Sequence, residues 1–234
     1  MKWSFFYLLA ILFQAEVWAG GTDAVSHELW DGILEQHVSL SGEVDYLGIK
    51  GDGRFQDYLT LVSSAHPDDG WSKGEQLAYW INVYNAFTIA KVLAHWPLNS
   101  IKDIDGVWDD EFIIIEKATY SLNGIEHDII RERFKDARIH FALNCAAISC
   151  PPLWNRAFSA KGLDSELEAR TRRFIAKDDR NRISEDSIEL SRIFEWYAED
   201  FGNVREYISR YSEISIDDSQ SIRYLEYDWT LNKK

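Results

Sequence analysis

The sequence predicts a single α+β domain with helices packed on a small antiparallel or mixed sheet. Three observations carry that expectation. Helical spacing of apolar residues outnumbers two-residue alternation along the chain. Two of the strand-like stretches are local pairs, as in antiparallel hairpins. No repeat period, low-complexity tract or long Pro/Gly/Ser linker divides residues 20–234, which are read as one domain.

Residues 1–19 are read as a leader outside the fold. Lys2 is a short basic start, residues 3–13 are apolar apart from Ser4, and Val17-Trp18-Ala19 suits a small-residue cleavage rule. The apolar run is too short to span a bilayer comfortably, so a removable signal peptide is expected, not an anchor. The expected location is exported, periplasmic or extracellular, with no membrane association after signal removal.

The elements follow in order. Residues 24–40 place Leu29, Ile33, Leu34 and Val38 at helical spacing, and 54–64 give a second short helix before the Asp68-Asp69-Gly70 turn. The strongest helix spans about 73–95, with Leu77, Trp80, Ile81, Tyr84, Phe87 and Val92 in register, and Pro97 closes it. Residues 111–122 read as a hairpin and 123–134 as a helix. Ile139, Phe141 and Leu143 alternate with Arg138, His140 and Ala142, the period of a half-buried strand running into Cys145. A charged helix fills 162–177, a strand covers Ile188, Leu190 and Ile193, and two short helices cover 194–201 and 204–211. Residues 223–231 alternate as a closing strand.

Composition narrows the function. About 215 residues remain after the leader, enough for a sizeable core. Hydrophobic residues at 46% with 10 Trp argue for a packed globule. A net charge of −14 with no basic stripe argues against nucleic acid and acidic membranes. There is no Cys-x-x-Cys and no His pair at i, i+4 with Glu between, so neither metal nor other cofactor is expected.

Both cysteines lie in the segment 140–152, His-Phe-Ala-Leu-Asn-Cys-Ala-Ala-Ile-Ser-Cys-Pro-Pro. Asn144 reads as a helix N-cap, with a helix from Cys145 until Pro151-Pro152 stops it. A thiol on a first helical turn meets unpaired N–H groups and the positive dipole end, which favour the nucleophilic thiolate. A continuous helix would separate the Cys145 and Cys150 Cα atoms by about 8–9 Å, beyond the roughly 7 Å a disulfide bridges. A loop could close the pair instead.

Polar residues interrupt apolar faces elsewhere. At about 100° per residue, Leu122, Ile125, Ile129, Ile130 and Phe134 cover half of the 123–134 helix. Glu126 falls near the middle of that arc, His127 at its border, and Arg131 beside His127 one turn on. A carboxylate there needs partners or becomes neutral. Asn82 and Asn85 share one side of the long helix, where their amides bind a loop backbone or a ligand. His127 comes from a separate element and can approach Cys145 as a base. His140 is too far if the strand persists, because five strand residues span about 16 Å; a chain reversal brings it nearer Cys150.

These stretches carry a resemblance. Residues 79–86 (Tyr-Trp-Ile-Asn-Val-Tyr-Asn-Ala), 121–131 with Ile125-Glu126-His127 and Arg131, 140–152, 194–201 (Phe-Glu-Trp-Tyr-Ala-Glu-Asp-Phe) and 227–232 (Tyr-Asp-Trp-Thr-Leu-Asn) resemble the bacterial domain-of-unknown-function family 547. The resemblance implies an exported single-domain member, distantly similar to papain-like cysteine enzymes. It implies Cys145 as nucleophile, His127 as base and Glu126 as the orienting acid.

The expected activity is thus a cysteine-dependent hydrolase or acyl transferase acting on a peptide, amide or thioester. Asn82, Asn85, Arg131, His140 and Asn144 would contact substrate, and Cys150 would be a second thiol. One alternative is a non-catalytic module binding a small thiol or a peptide. Another is a structural domain with a Cys145–Cys150 disulfide. Adjacent helical side chains point about 100° apart, so Glu126 and His127 are poorly placed to meet each other.

Overall fold

A computed structural model describes residues 24–177 and 179–234. The expected leader lies outside the described residues.

The long helix, Lys73–Ala94, is the axis of the larger core. Ser72 and Glu75 close its N-terminus as a reciprocal capping box. From Leu77 to Ile89 every residue is buried, so the helix is covered on all sides. Glu28–His37 contributes Trp30, Ile33 and Leu34 to this core, and Gly53–Ser63 contributes Phe55, Tyr58 and Val62. Asp45 and Asp52 each cap a following helix with a carboxylate oxygen. The hairpin pairs Ile113–Ile115 antiparallel with Ala118–Tyr120; Ile113 and Ile115 point into the core and Ile114 out.

The 123–134 helix is present, but Gly124–Arg131 is a π-helix that tightens into Glu132–Phe134. Such wide turns are rare and concentrate at functional sites. The expected strand from 138 to 143 is a correction: Ala137–Phe141 is a 3₁₀ helix capped by the Asp136 carboxylate. Residues 139–143 are all buried, so both phases of the alternation face protein and the two-residue period carried no directional information.

A smaller core gathers Phe141, Phe174, Ile188, Leu190, Phe194, Phe201, Tyr207 and Ile208. Its sheet is mixed: Arg182–Ile183 runs antiparallel to Ser187–Leu190, which runs parallel to Ser221–Tyr224. Ile193 belongs to the helix Ile193–Trp196, not to the strand. The closing strand is shorter than expected. Beyond Tyr224 the tail is held by isolated bridges, Thr230 to Ser100, Leu231 to Ala147 and Lys233 to Val44. It thereby ties three distant segments together. Among the described residues no helix is long and apolar enough to cross a membrane.

Candidate functional site

A cavity of about 210 Å³ lies where the two cores meet. Tyr84 and Leu143 line it from the larger core and Ile193 from the smaller. The rest of its wall includes Trp108, Glu126, His140, both cysteines, Trp196, Tyr197, Tyr227 and Trp229.

Cys145 and Cys150 are joined as a disulfide, with Cα atoms 6.1 Å apart. The expected helix from Cys145 is absent, which removes the obstacle to bridging. Asn144 does not cap a helix. Its side-chain oxygen accepts from the Ala146 N–H at 3.0 Å, its amide donates to Pro151 O at 2.8 Å, and Ala146 turns the chain with φ 63°. Asn144 therefore shapes the cysteine loop from within. The sulfurs have no helix dipole behind them; a backbone N–H of Cys145 donates to Cys150 Sγ at 2.9 Å, and the Tyr227 hydroxyl lies 3.2 Å from Cys150 Sγ and 3.4 Å from Cys145 Sγ. Cys150 is 2% exposed whereas Cys145 is half-buried, so Cys145 is the more exposed residue of the pair.

His140 shares the cavity wall with Cys145. The strand expectation kept them apart, but a 3₁₀ turn advances only about 2 Å per residue, against about 3.3 Å in a strand. His140 Nε2 meets Asp200 Oδ2 at 2.6 Å, and its ring stacks on Tyr197 with centroids 3.9 Å apart. Arg131 grips the same carboxylate through two bonds of 2.6 and 2.8 Å. The His140 hydrogen bond and then the Arg131 bond hold the Asp200 carboxyl well below the usual range, and Asp200 in turn raises Arg131. His127 is not on the cavity wall; its Nδ1 sits 2.7 Å from an Arg131 guanidinium nitrogen. Arg131 thus joins Asp200 to His127, and neither Arg131 nor His127 lines the cavity.

Glu126 is 6% exposed, as its place in the apolar arc requires. It is hydrogen-bonded by the Tyr84 and Tyr197 hydroxyls. Burial first, and the Glu126 charge second, raise both phenols above their ordinary range. Its partners are phenols; no bond joins it to His127.

Asn82 and Asn85 use both ends of their amides on loop backbone. Asn82 pairs with Phe158 N and O at 3.0 and 2.8 Å. Asn85 accepts from Asn144 N at 2.9 Å and donates to Ala142 O at 3.0 Å, clasping the segment that leads to Cys145. Of the two readings open for these amides, the loop is the one they serve here.

Asp200, Tyr197, Tyr227 and the three tryptophans of the cavity were assigned no role from the sequence. For all but Trp108 the available signal was their presence in the stretches 194–201 and 227–232 that carry the resemblance. Among the described residues no three His, Cys, Asp or Glu side chains group as metal ligands.

Residues 69–175 match the family model described as Protein of unknown function, DUF547. The matched span runs from the turn before the long helix through the cysteine loop to the end of Leu163–Ile175. It includes Tyr84, Glu126, His140 and both cysteines, whereas Asp200, Tyr227 and Trp229 lie beyond it. No curated protein and no solved structure matches the chain.

Proposed function

We propose that this chain is an exported, periplasmic or extracellular cysteine-dependent hydrolase or acyl transferase, held as a disulfide until a dithiol reductant opens it. The observation that carries the reading is the Asp200–His140 pair at 2.6 Å on the same cavity wall as Cys145. A base oriented by a third group beside a sulfur is the arrangement nucleophilic catalysis uses. In this reading His140 takes the role first given to His127, and Asp200 the role first given to Glu126. The disulfide itself suits an oxidising compartment.

Exchange with an external dithiol transfers two electrons and two protons to the pair and leaves the reductant oxidised. His140 then takes the Cys145 proton, and the sulfur attacks the carbonyl carbon of a peptide, amide or thioester. The leaving group departs with that proton, and water, deprotonated by His140, releases the acyl group. Asp200 stabilises the imidazolium at each step. Transfer to an amine or thiol in place of water is the acyl-transferase variant.

The test is thiol reactivity of the reduced protein against pH, read by mass spectrometry at Cys145. The expected result is alkylation titrating below the ordinary thiol value of about 8.5, and slowed at neutral pH by His140→Asn. A Cys145 no faster than an ordinary thiol, and indifferent to His140→Asn, overturns the proposal. The closed disulfide, with no free cysteine among the described residues, favours a second reading: a non-catalytic module binding a small thiol or peptide, with the disulfide as a staple. That reading expects ligand affinity without turnover in either redox state.

A further inference from the structure

Glu126 is a buried carboxylate without a cation of its own. None of the ion pairs among the described residues includes it, and the nearby guanidinium of Arg131 is committed to Asp200 and His127. Phenols supply hydrogen bonds but no compensating charge, and an unpaired ion in a low-dielectric site is costly. The same cavity wall carries one continuous aromatic face. Ring centroids lie 4.8 Å apart for Trp196–Tyr227, 4.6 Å for Tyr227–Trp229 and 5.8 Å for Trp196–Trp229, and Trp196 is 45% exposed. Aromatic faces carry the negative end of the ring quadrupole and attract cations most strongly where water is excluded. Trp229 already takes one, the Lys102 ammonium at 5.3 Å from its ring centre. The positive candidate on the wall itself, His140, is paired with Asp200.

Carboxylate and rings therefore act with one sign on whatever enters. The volume of about 210 Å³ is below the 300–1,000 Å³ of cavities that enclose whole ligands, so it suits a group, not a complete cofactor. We infer that this cleft recognises a substituted ammonium group, such as a lysine-type side chain or a methylated amine, with Glu126 as counter-charge and Trp196, Tyr227 and Trp229 as the cation–π wall. The inference rests on the reading that this cleft is the functional site, and it names the class of substrate that site takes. The net charge of −14 adds long-range attraction for cations.

The test uses the disulfide-intact protein, in which no thiol turnover competes. Choline is titrated against neohexanol, the same shape with carbon in place of nitrogen, by tryptophan fluorescence and calorimetry. Choline is expected to bind about tenfold tighter or more. Trp196→Ala, at a half-exposed position, should weaken choline several-fold, and Glu126→Gln about tenfold while leaving neohexanol unchanged. Should Glu126→Gln fail to fold, the two probes on the unaltered protein still decide. Equal affinity for both, or binding of neither, overturns the inference. Because binding is read in the oxidised protein, an unreactive Cys145 would sink the catalytic proposal and leave ammonium recognition standing. The reverse result would separate them the other way.

Discussion

Replacing Asn85 by Leu should show how much the cysteine loop owes to one amide. The side chain is 3% exposed and makes two hydrogen bonds, from Asn144 N at 2.9 Å and to Ala142 O at 3.0 Å. Leu is similar in size, so the chief loss is a buried N–H and a buried C=O left without partners. Each such group costs about 1–3 kcal/mol, which puts the variant at about 2–6 kcal/mol less stable. That is a large part of the 5–15 kcal/mol typical of a domain. Urea unfolding should show a lower midpoint with an unchanged slope. Asn82→Leu is the matched control, because it removes the same two kinds of bond to Phe158 and should cost about as much. Only the Asn85 variant should alter alkylation of reduced Cys145, since Asn85 alone clasps residues 142–144. A loss under about 1 kcal/mol for Asn85→Leu, or equal effects of both variants on Cys145, refutes the argument.

Further outcomes follow from other residues. Burial lowers the His27 imidazole from 6.5 to about 4, so the unfolded chain takes up this proton first as pH falls. Stability from this group is complete above about 6.5 and declines toward pH 4, by about 3 kcal/mol in all; His27→Gln should flatten that part of a stability–pH curve. The Asp200 carboxyl is held low, so its contribution is present above the unfolded carboxylate value near 3.9 and is lost only at more acid pH. Asp200→Asn should therefore remove stability at pH 7 and raise the pH at which reduced Cys145 alkylates, an effect measurable in the same reactivity profile. Gly42 has φ 91°, and a Cβ there would lie 2.5 Å from Pro152 Cβ and 2.8 Å from its Cα. Gly42→Ala should cost about 2–4 kcal/mol by thermal or urea unfolding, from the left-handed backbone and the clash together.

The parts legible in the sequence are those in which one face meets protein and the other water. Leu29 aside, the apolar spacing of the first helices matches what they bury; Ile113–Ile115 was read as a strand from its apolar run, and only its burial alternates. The long helix was read from six apolar residues at helical spacing, although from Leu77 to Ile89 it is covered on all sides. Glu126 stood out because an acid in an apolar arc demands an explanation, and it is buried among phenols. The segment 138–148 misled because every residue from 139 to 143 is buried, so no periodicity could distinguish a strand from a 3₁₀ turn. His140 was discounted on that error alone. Asp200 was invisible, since an acid beside Glu199 on a short charged helix looks like solvated surface. Its pairing with His140 spans 60 residues and exists only in the tertiary fold.

The site is also built so that opening the disulfide need not dismantle it. A loop as short as 145–150 gains about 2 kcal/mol from its cross-link on the chain-entropy account. Against that, the loop is held to the tail by Ile148 N to Thr230 O at 2.8 Å, Ser149 N to Asp228 O at 3.1 Å, Asn232 N to Ala146 O at 3.0 Å and Asp228 N to Ser149 Oγ at 2.8 Å. At about 0.5–1.5 kcal/mol each, these four bonds together match or exceed the cross-link. Asn144 adds a clasp between the residues that flank the loop, through Pro151 O. Reduction should therefore lower the unfolding free energy by about 2 kcal/mol while leaving amide hydrogen exchange at Ile148 and Ser149 protected. Loss of that protection on reduction would mean that the sulfur bond, and not the tail, sets the geometry. Cys145 and His140 could not then keep their relative positions in the reduced form, and the catalytic reading would lose its structural basis.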